Sequence, residues 1–306
     1  MIRKLVLVGV FALAACASQE QKKSIEHTNE GVRMLNAKQF EGAVGKFEEA
    51  VKVYSENHTA WYNLGLAQDG RKKYEEAAKA YEQAVKRSGN DPMYHMKHGI
   101  ALYKAAIEEQ RNRQAKTEGK KPEEIELDLK GVNFDPALAE LEAAVKLNPE
   151  LFRAYYYLGR IHRDMDNAAP AAEAFTKSIQ NGPREREPYV ALGELYRRWD
   201  YTDEAIQVLA AGKQNVPADN ADIIFALGMA YDDKGDIDKA IAEFTAAIEA
   251  DKNQQKAKYQ RGLAYFKKGD FKKAKEDLED YQKNAKDEFS KGIASKTLMD
   301  IMAKEM

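Results

Sequence analysis

The chain has 306 residues, with 48 Lys plus Arg against 50 Asp plus Glu, a net charge of −2. This near balance offers no basic stripe for a nucleic-acid partner, and the single cysteine excludes an internal disulfide and a cysteine-based metal site. Abundant alanine, sparse glycine and proline, and aromatics led by 16 Tyr point to helical material joined by short turns.

The first predicted element is an export signal over residues 1–15. Arg3 and Lys4 supply a basic start, and Leu5 to Ala15 is uncharged and rich in Leu, Val and Ala. That core falls well short of the roughly 20 apolar residues that span a bilayer. The run Leu13-Ala14-Ala15-Cys16 resembles the lipobox of bacterial lipoproteins. The resemblance implies cleavage before Cys16, a thioether-linked diacylglycerol on its sulfur and, usually, an amide-linked acyl chain. A thiol is the small side chain nucleophilic enough for such alkylation, and several acyl chains anchor where one holds only marginally. The alternative is an ordinary signal peptide that happens to contain a cysteine. Cleavage would remove Arg3, Lys4 and no acid, leaving 46 basic residues against 50 acidic ones and a net charge of −4. Residues 16–23 then read as a lipidated cysteine and a tether. Its part from Ala17 to Lys23 would span about 24 Å when fully extended. By the same resemblance, Ala17 in place of an aspartate implies sorting to the outer membrane.

From residue 24 onward a period dominates. Gly31, Gly65 and Gly99 lie 34 residues apart, as do Gly159 and Gly193, and Gly228 and Gly262. Phe40 matches Tyr74, Phe47 matches Tyr81, Tyr231 matches Tyr265, and Ala240 matches Ala274. Trp61-x-x-Leu64-Gly65 and Tyr155-x-x-Leu158-Gly159 sit at equivalent places. A 34-residue period of two short helices resembles the tetratricopeptide repeat family. The resemblance covers residues 24–288. It implies an all-α fold, a right-handed superhelical solenoid of antiparallel helix pairs, in which no repeat is stable alone.

The predicted units are 24–57, 58–91, 92–151, 152–185, 186–219, 221–254 and 255–288, each with helix A over its first half and helix B over its second. Glycine at the eighth position lets the paired helices approach closely. Pro149, Pro183 and Pro217 stop helix B where a missing N–H cannot continue it. The third unit is split by an insert of about 105–130. Ala105 to Gln114 extends helix A, Thr117 to Pro122 breaks it, Glu123 to Leu129 reads as a short helix or strand, and helix B restarts near Phe134. With seven basic and seven acidic residues between Lys104 and Lys130, the insert is expected to be a solvated, mobile loop. The fourth and fifth units lack the usual aromatic after helix A, having Ala168 and Thr202, and Tyr201 comes one place early, so looser packing is expected there. Phe289, Ile293, Leu298, Ile301 and Met302 then space out an amphipathic helix over 289–306, expected to cap the last repeat.

No enzyme constellation stands out, so no catalytic residue and no cofactor is assigned. His95 and His98 share a helix face but have no nearby acid or cysteine at ligand spacing, so no metal is assigned. No small-molecule substrate is predicted. The array itself offers a site, because the resemblance implies that A helices line a concave wall. Its wall positions are Tyr62 and Leu66, then Met93, Met96, Ile100 and Tyr103. They continue as Tyr156, Arg160 and Arg163, then Glu194 and Arg197, then Phe225, Met229 and Tyr259. The early wall reads as apolar and rich in Met and Tyr, suited to irregular apolar partners. The middle, with Arg153 and Arg198, reads as charged and able to hold a carboxylate.

Exported lipoproteins with this resemblance include pilotins that help secretins assemble, scaffolds for peptidoglycan enzymes, and parts of outer-membrane assembly machines. The expected role is a non-enzymatic, outer-membrane-anchored periplasmic adaptor that binds a protein or peptide in the groove, with pilotin-like secretin assembly as its narrower form. The alternatives are an envelope scaffold for peptidoglycan enzymes and a chaperone-like holder of unfolded outer-membrane clients.

Overall fold

The computed structural model describes residues 18–216, 220–284 and 288–305. The signal segment, Cys16 and Pro217 lie outside the described residues, as does the side chain of Phe289. Among the described residues the fold is all-α, with fifteen α-helices, one 3-10 turn and no strand. The chain divides into two compact units, one up to Met165 and one from Asp166.

In the first unit the helices are α1 (Gln19–Asn36), α2 (Phe40–Val53), α3 (His58–Gly70), α4 (Tyr74–Arg87), α5 (Pro92–Glu118), α6 (Asp135–Leu147) and α7 (Phe152–Asp164). Helix α1 starts inside the segment expected to be tether. The reason is a reciprocal cap: Ser18 Oγ accepts from the Gln21 N–H, and the Ser18 N–H donates to Gln21 Oε1. Ser-x-x-Gln is the sequence signature of that cap, so residues 19–23 are helix rather than the extended segment expected there.

Helix pairs form because glycine opens a slot for a large side chain. A Cβ on Gly65 would stand 2.5 Å from the Tyr81 ring, so only hydrogen leaves room there. Tyr81 and Phe47, both essentially inaccessible, fill the equivalent slots. Burying such a ring contributes about 1.5–3 kcal/mol. Repeats are also stitched by polar groups. Asn57 caps α3 by accepting from the Ala60 N–H, while its amide donates to Ser24 Oγ at 2.9 Å and Thr28 Oγ1 at 3.2 Å across the pair.

The insert is more ordered than expected. Helix α5 runs unbroken for 27 residues, from Pro92 behind the Asp91 cap to Glu118, and ends at Gly119 in the left-handed region. The chain then makes a 3-10 turn over Pro122–Glu124 and returns along α5. Gln110 Nε2 donates to the Asp128 carbonyl, and the Asp128 N–H donates to Gln114 Oε1. These bonds, with Ala115 buried beneath, turn the expected mobile loop into a hairpin strapped to its own helix.

The second unit contains α8 (Ala168–Asn181), α9 (Arg186–Arg198), α10 (Thr202–Asn215), α11 (Ala221–Lys234), α12 (Ile237–Ala250), α13 (Gln255–Lys268), α14 (Phe271–Asn284) and α15 (Glu288–Glu305). Phe244 and Leu278 fill the slots at Gly228 and Gly262. In the fifth repeat the shifted aromatic fails to bury: Tyr201 is 55% exposed and Trp199 41%. Leu209 still fills the Gly193 slot, so the pair itself closes. Helix α15 packs Ala294 and Ile301 against Tyr259 and Tyr281, covering the end of the last repeat.

Candidate partner-binding wall

The best-defined polar surface of the first unit runs across its A helices α3, α5 and α7. At one end Tyr62 stacks on Tyr94, with ring centroids 4.7 Å apart and planes 25° apart. Tyr94 Oη lies 2.8 Å from His58 Nδ1, which fixes its ring. Burial, helped by Asp91 and Tyr94, raises the Tyr62 phenol above its ordinary pKa. It therefore remains a neutral hydrogen-bonding group at any physiological pH.

At the other end Arg160 sits in a nest of rings. Its guanidinium carbon is 5.1 Å from the Tyr103 ring centre, 5.3 Å from that of Tyr157 and 5.8 Å from that of Tyr156. Cation–π contacts of this kind are worth about 0.5–2 kcal/mol and hold a cation in place without neutralising it. Burial works against the Arg160 charge, but the Tyr103, Tyr156 and Tyr157 hydroxyls and Asp164 outweigh it and raise its pKa. Asp164 is itself committed. It accepts from the Tyr103 hydroxyl and from both Arg163 Nε and Nη2, at 3.0 and 2.8 Å.

Between these ends lies Lys97. Burial lowers its pKa, and Arg153 and Lys104 lower it further, while Asp69 offsets part of the shift. Asp69 is taken by Lys104, whose ammonium lies 2.8 Å from Asp69 Oδ1 and 5.0 Å over the Tyr74 ring. Among the described residues, no carboxylate stands within ion-pair distance of Lys97, Arg153 or Arg160. The wall thus holds three cations without a contacting carboxylate, with Arg153 and Arg160 set beside aromatic rings. Such a surface favours a ligand that brings carboxylates and some apolar area.

The predicted wall residues divide three ways. Tyr62, Leu66, Tyr156, Arg160 and Arg163 are half-buried on the first unit, and Met93 is exposed. Met96, Ile100 and Tyr103 are corrections: they are 2%, 5% and 1% exposed and cannot meet a partner. Tyr103 is covered because Tyr157 and Arg160 of α7 lie against its ring. In the second unit Glu194 is exposed, and Phe225 and Met229 pack on Phe244. Tyr259 is buried against Tyr281 under α15, another correction. Arg197 donates to Asp233 at 2.6 Å and Arg198 reaches Asp166 at 3.4 Å, so these arginines serve the unit itself.

Sequence reasoning missed Lys97, Tyr157 and Lys104. Lys97 and Lys104 are seven residues apart, a spacing that keeps one helix face. That spacing, one place beyond the assumed register, was the signal. His95 and His98 do share a face, and the acid absent from their own helix arrives from α6. Glu140 Oε2 is 2.7 Å from His95 Nδ1 and 3.4 Å from His98 Nδ1. Burial opposes the Glu140 charge, yet these two contacts hold its carboxyl below the ordinary value. No group of three His, Cys, Asp or Glu side chains is placed to hold a metal among the described residues.

A tetratricopeptide repeat model matches residues 30–92, 127–186 and 225–288, more than half of the chain. The chain belongs to the tetratricopeptide repeat family. The unmatched gap 93–126 contains nearly all of α5 and the 3-10 turn that follows it. Solved structures with this repeat share the fold. A repeat protein from Parabacteroides merdae superposes with a TM-score of 0.58 at 15% identity, covering 92% of this chain and 99% of its own. Pseudomonas aeruginosa pilF gives 0.55 at 17% identity, covering 76% and 93%. YrrB, described as a repeat protein with an unusual peptide-binding site, gives 0.50 at 21% identity, covering 72% and 99%. No curated protein matches the chain in sequence.

Proposed function

We propose that this tetratricopeptide repeat protein is a non-enzymatic, membrane-anchored periplasmic adaptor, and that the α3–α5–α7 wall receives an acidic, partly apolar segment of a protein partner. The observation that carries the binding part is the set of cations Lys97, Arg153 and Arg160, none with a carboxylate at ion-pair distance, with Arg153 over Phe152 and Arg160 among tyrosine rings. An unpaired half-buried ammonium is costly to hold, and an incoming carboxylate relieves that cost. The anchor rests on Leu13-Ala14-Ala15-Cys16, and the outer membrane on Ala17. Pilotin-like help to secretin assembly is the narrower form of the same reading and rests on the resemblance of exported repeat lipoproteins.

The binding test is a titration with a fluorescent peptide of alternating glutamate and leucine, against its glutamine counterpart. The acidic peptide should bind more tightly by tenfold or more, and Arg160→Ala with Lys97→Met should remove that difference while the circular dichroism spectrum is retained. Equal binding of both peptides would sink the acidic-segment reading and favour a holder of apolar chains. The anchor test is fractionation. Cys16→Ser should move the chain from the membrane pellet to the periplasmic extract, and mass spectrometry of the native N-terminus should show the lipid mass.

A further inference from the structure

The feature that sets this chain apart from a plain repeat array is the overlong α5. Other A helices of the first unit span 13 residues in α3 and α7, whereas α5 has 27. Its second half therefore projects past the place where a repeat ordinarily turns. The returning hairpin straps one side of that projection through Gln110 and Gln114. The other side faces the start of α4 and the start of α6, and an open groove of about 660 Å³ lies there. That volume is within the range of about 300–1,000 Å³ that takes small ligands or a few side chains.

The groove has a distinct chemistry. Its floor is made of short apolar side chains, Leu102, Ala105, Ala106, Pro136 and Ala137. Its rim carries Glu75, Glu108 and Glu109, with Asn112 and Asn133 between them. Glu75 pairs with Lys79 and Glu109 with Arg113, each at 2.6 Å and one helical turn away on the exposed surface. Such pairs contribute about 0.5 kcal/mol or less and exchange easily for a better partner. Glu108 has no basic partner among the described residues. No lysine or arginine lines the groove.

We propose that this groove is a second docking surface, independent of the α3–α5–α7 wall, and that it takes a basic segment of a partner protein in which lysine or arginine alternates with aliphatic side chains. The apolar side chains rest on the alanine floor, and the cations reach the glutamate rim. The proposal is carried by charge complementarity together with the shape that the overlong helix creates. The wall and the groove have opposite charge preferences. One unit can therefore hold an acidic segment at one surface and a basic segment at the other.

The test uses the full chain and a fluorescein-labelled octapeptide of alternating lysine and leucine, measured by anisotropy at low salt and at 0.3 M salt. Its acetyl-lysine form and an alternating glutamate–leucine peptide serve as controls. Wild type should bind the lysine peptide, lose at least tenfold in affinity with Glu108→Lys, and lose at least fivefold with Ala106→Phe, which fills the floor without altering charge. Arg160→Ala, in the wall, should leave this binding unchanged while it weakens the glutamate peptide. Should Ala106→Phe not fold, Asn112→Trp blocks the same groove from an exposed position. The proposal is overturned if wild type does not bind the lysine peptide or binds the acetylated form equally well. It is also overturned if folded filling variants bind like wild type, which would reduce the effect to general attraction by an acidic protein. Light scattering that shows a dimer dissociated by Glu108→Lys would instead assign the groove to a second copy of the chain.

Discussion

The two units use the same repeat positions for different ends. In the second unit, cations on the A helices find acids on neighbouring helices. Arg197 meets Asp233 at 2.6 Å, Lys267 meets Asp232 at 2.7 Å, and Arg261 donates through Nε and Nη2 to both oxygens of Asp277, each at 2.7 Å. The hydrogen bonds that Arg261 donates to Asp277 outweigh burial and raise the pKa of Arg261. In the first unit pairs such as Asp69–Lys104, Glu41–Arg71 and Glu30–Lys46 close as well, but its A helices also carry Lys97, Arg153 and Arg160 with no carboxylate at ion-pair distance. Ion pairs stitch both units, and the first also keeps unmet charge on its wall. A solenoid repeat can afford this division because each helix pair is held by its own slot and rings, so wall charges are available for other work.

The largest expected effect tests what the units share. Gly65→Val and Gly228→Val should each destabilise the protein by about 3 kcal/mol, because the new side chain meets the Tyr81 or Phe244 ring. Thermal unfolding followed by circular dichroism checks this, and a large effect in one unit alone would show that the pairs are not built alike. Next, Asp277→Asn should cost about 2 kcal/mol, since it leaves a half-buried guanidinium poorly matched. Lys97→Met goes the other way at neutral pH. It should stabilise the unliganded protein by roughly 0.5 kcal/mol after solvent screening, because it removes an ammonium that burial disfavours. Opposite signs for these two substitutions are the sharpest measure of the contrast, and equal signs would break it.

The sign for Lys97 follows from linkage. Its folded pKa lies below the ordinary 10.5, so between the two values the unfolded chain binds more protons and stability rises with pH. Lys97 therefore opposes folding below that window and is neutral to it above about pH 10.5, where the gain from Lys97→Met should vanish. Affinity for an acidic peptide should move oppositely: full while Lys97 is charged and falling as pH rises through its lowered pKa. Lys97→Arg should shift that fall to higher pH, and an unchanged profile in an anisotropy titration would remove Lys97 from the site. The smallest effect belongs to an exposed pair of the second unit, Lys234–Asp203, where Asp203→Asn should change stability by less than about 0.5 kcal/mol.

Much of the fold was legible in the sequence because its signals are local. Runs of glycines 34 residues apart, a large side chain sixteen residues after most of them, and Pro149 and Pro183 behind the B helices mark out the pairs. The start of α1 was also legible, in Ser18-x-x-Gln21, although the tether was drawn through it. The wall was only half legible. Tyr62, Arg160 and Arg163 stay partly open to solvent, whereas Met96, Ile100 and Tyr103 are buried. A repeat position names a helix face, and the next helix decides whether that face stays open. Tyr157 and Arg160 close over Tyr103, and α15 closes over Tyr259.

The sequence by itself determined the helix pairs, their period, the overlong helix of the third repeat and the capping helix at the end. Each of these depends on spacing along the chain or on one residue's backbone preference. Only the tertiary structure decided which cations are matched, that Glu140 reaches both His95 and His98, and that the insert lies strapped to α5 beside an acid-rimmed groove. Those outcomes depend on distances between groups mostly far apart along the chain, and Coulomb and packing energies change steeply over the last few ångströms.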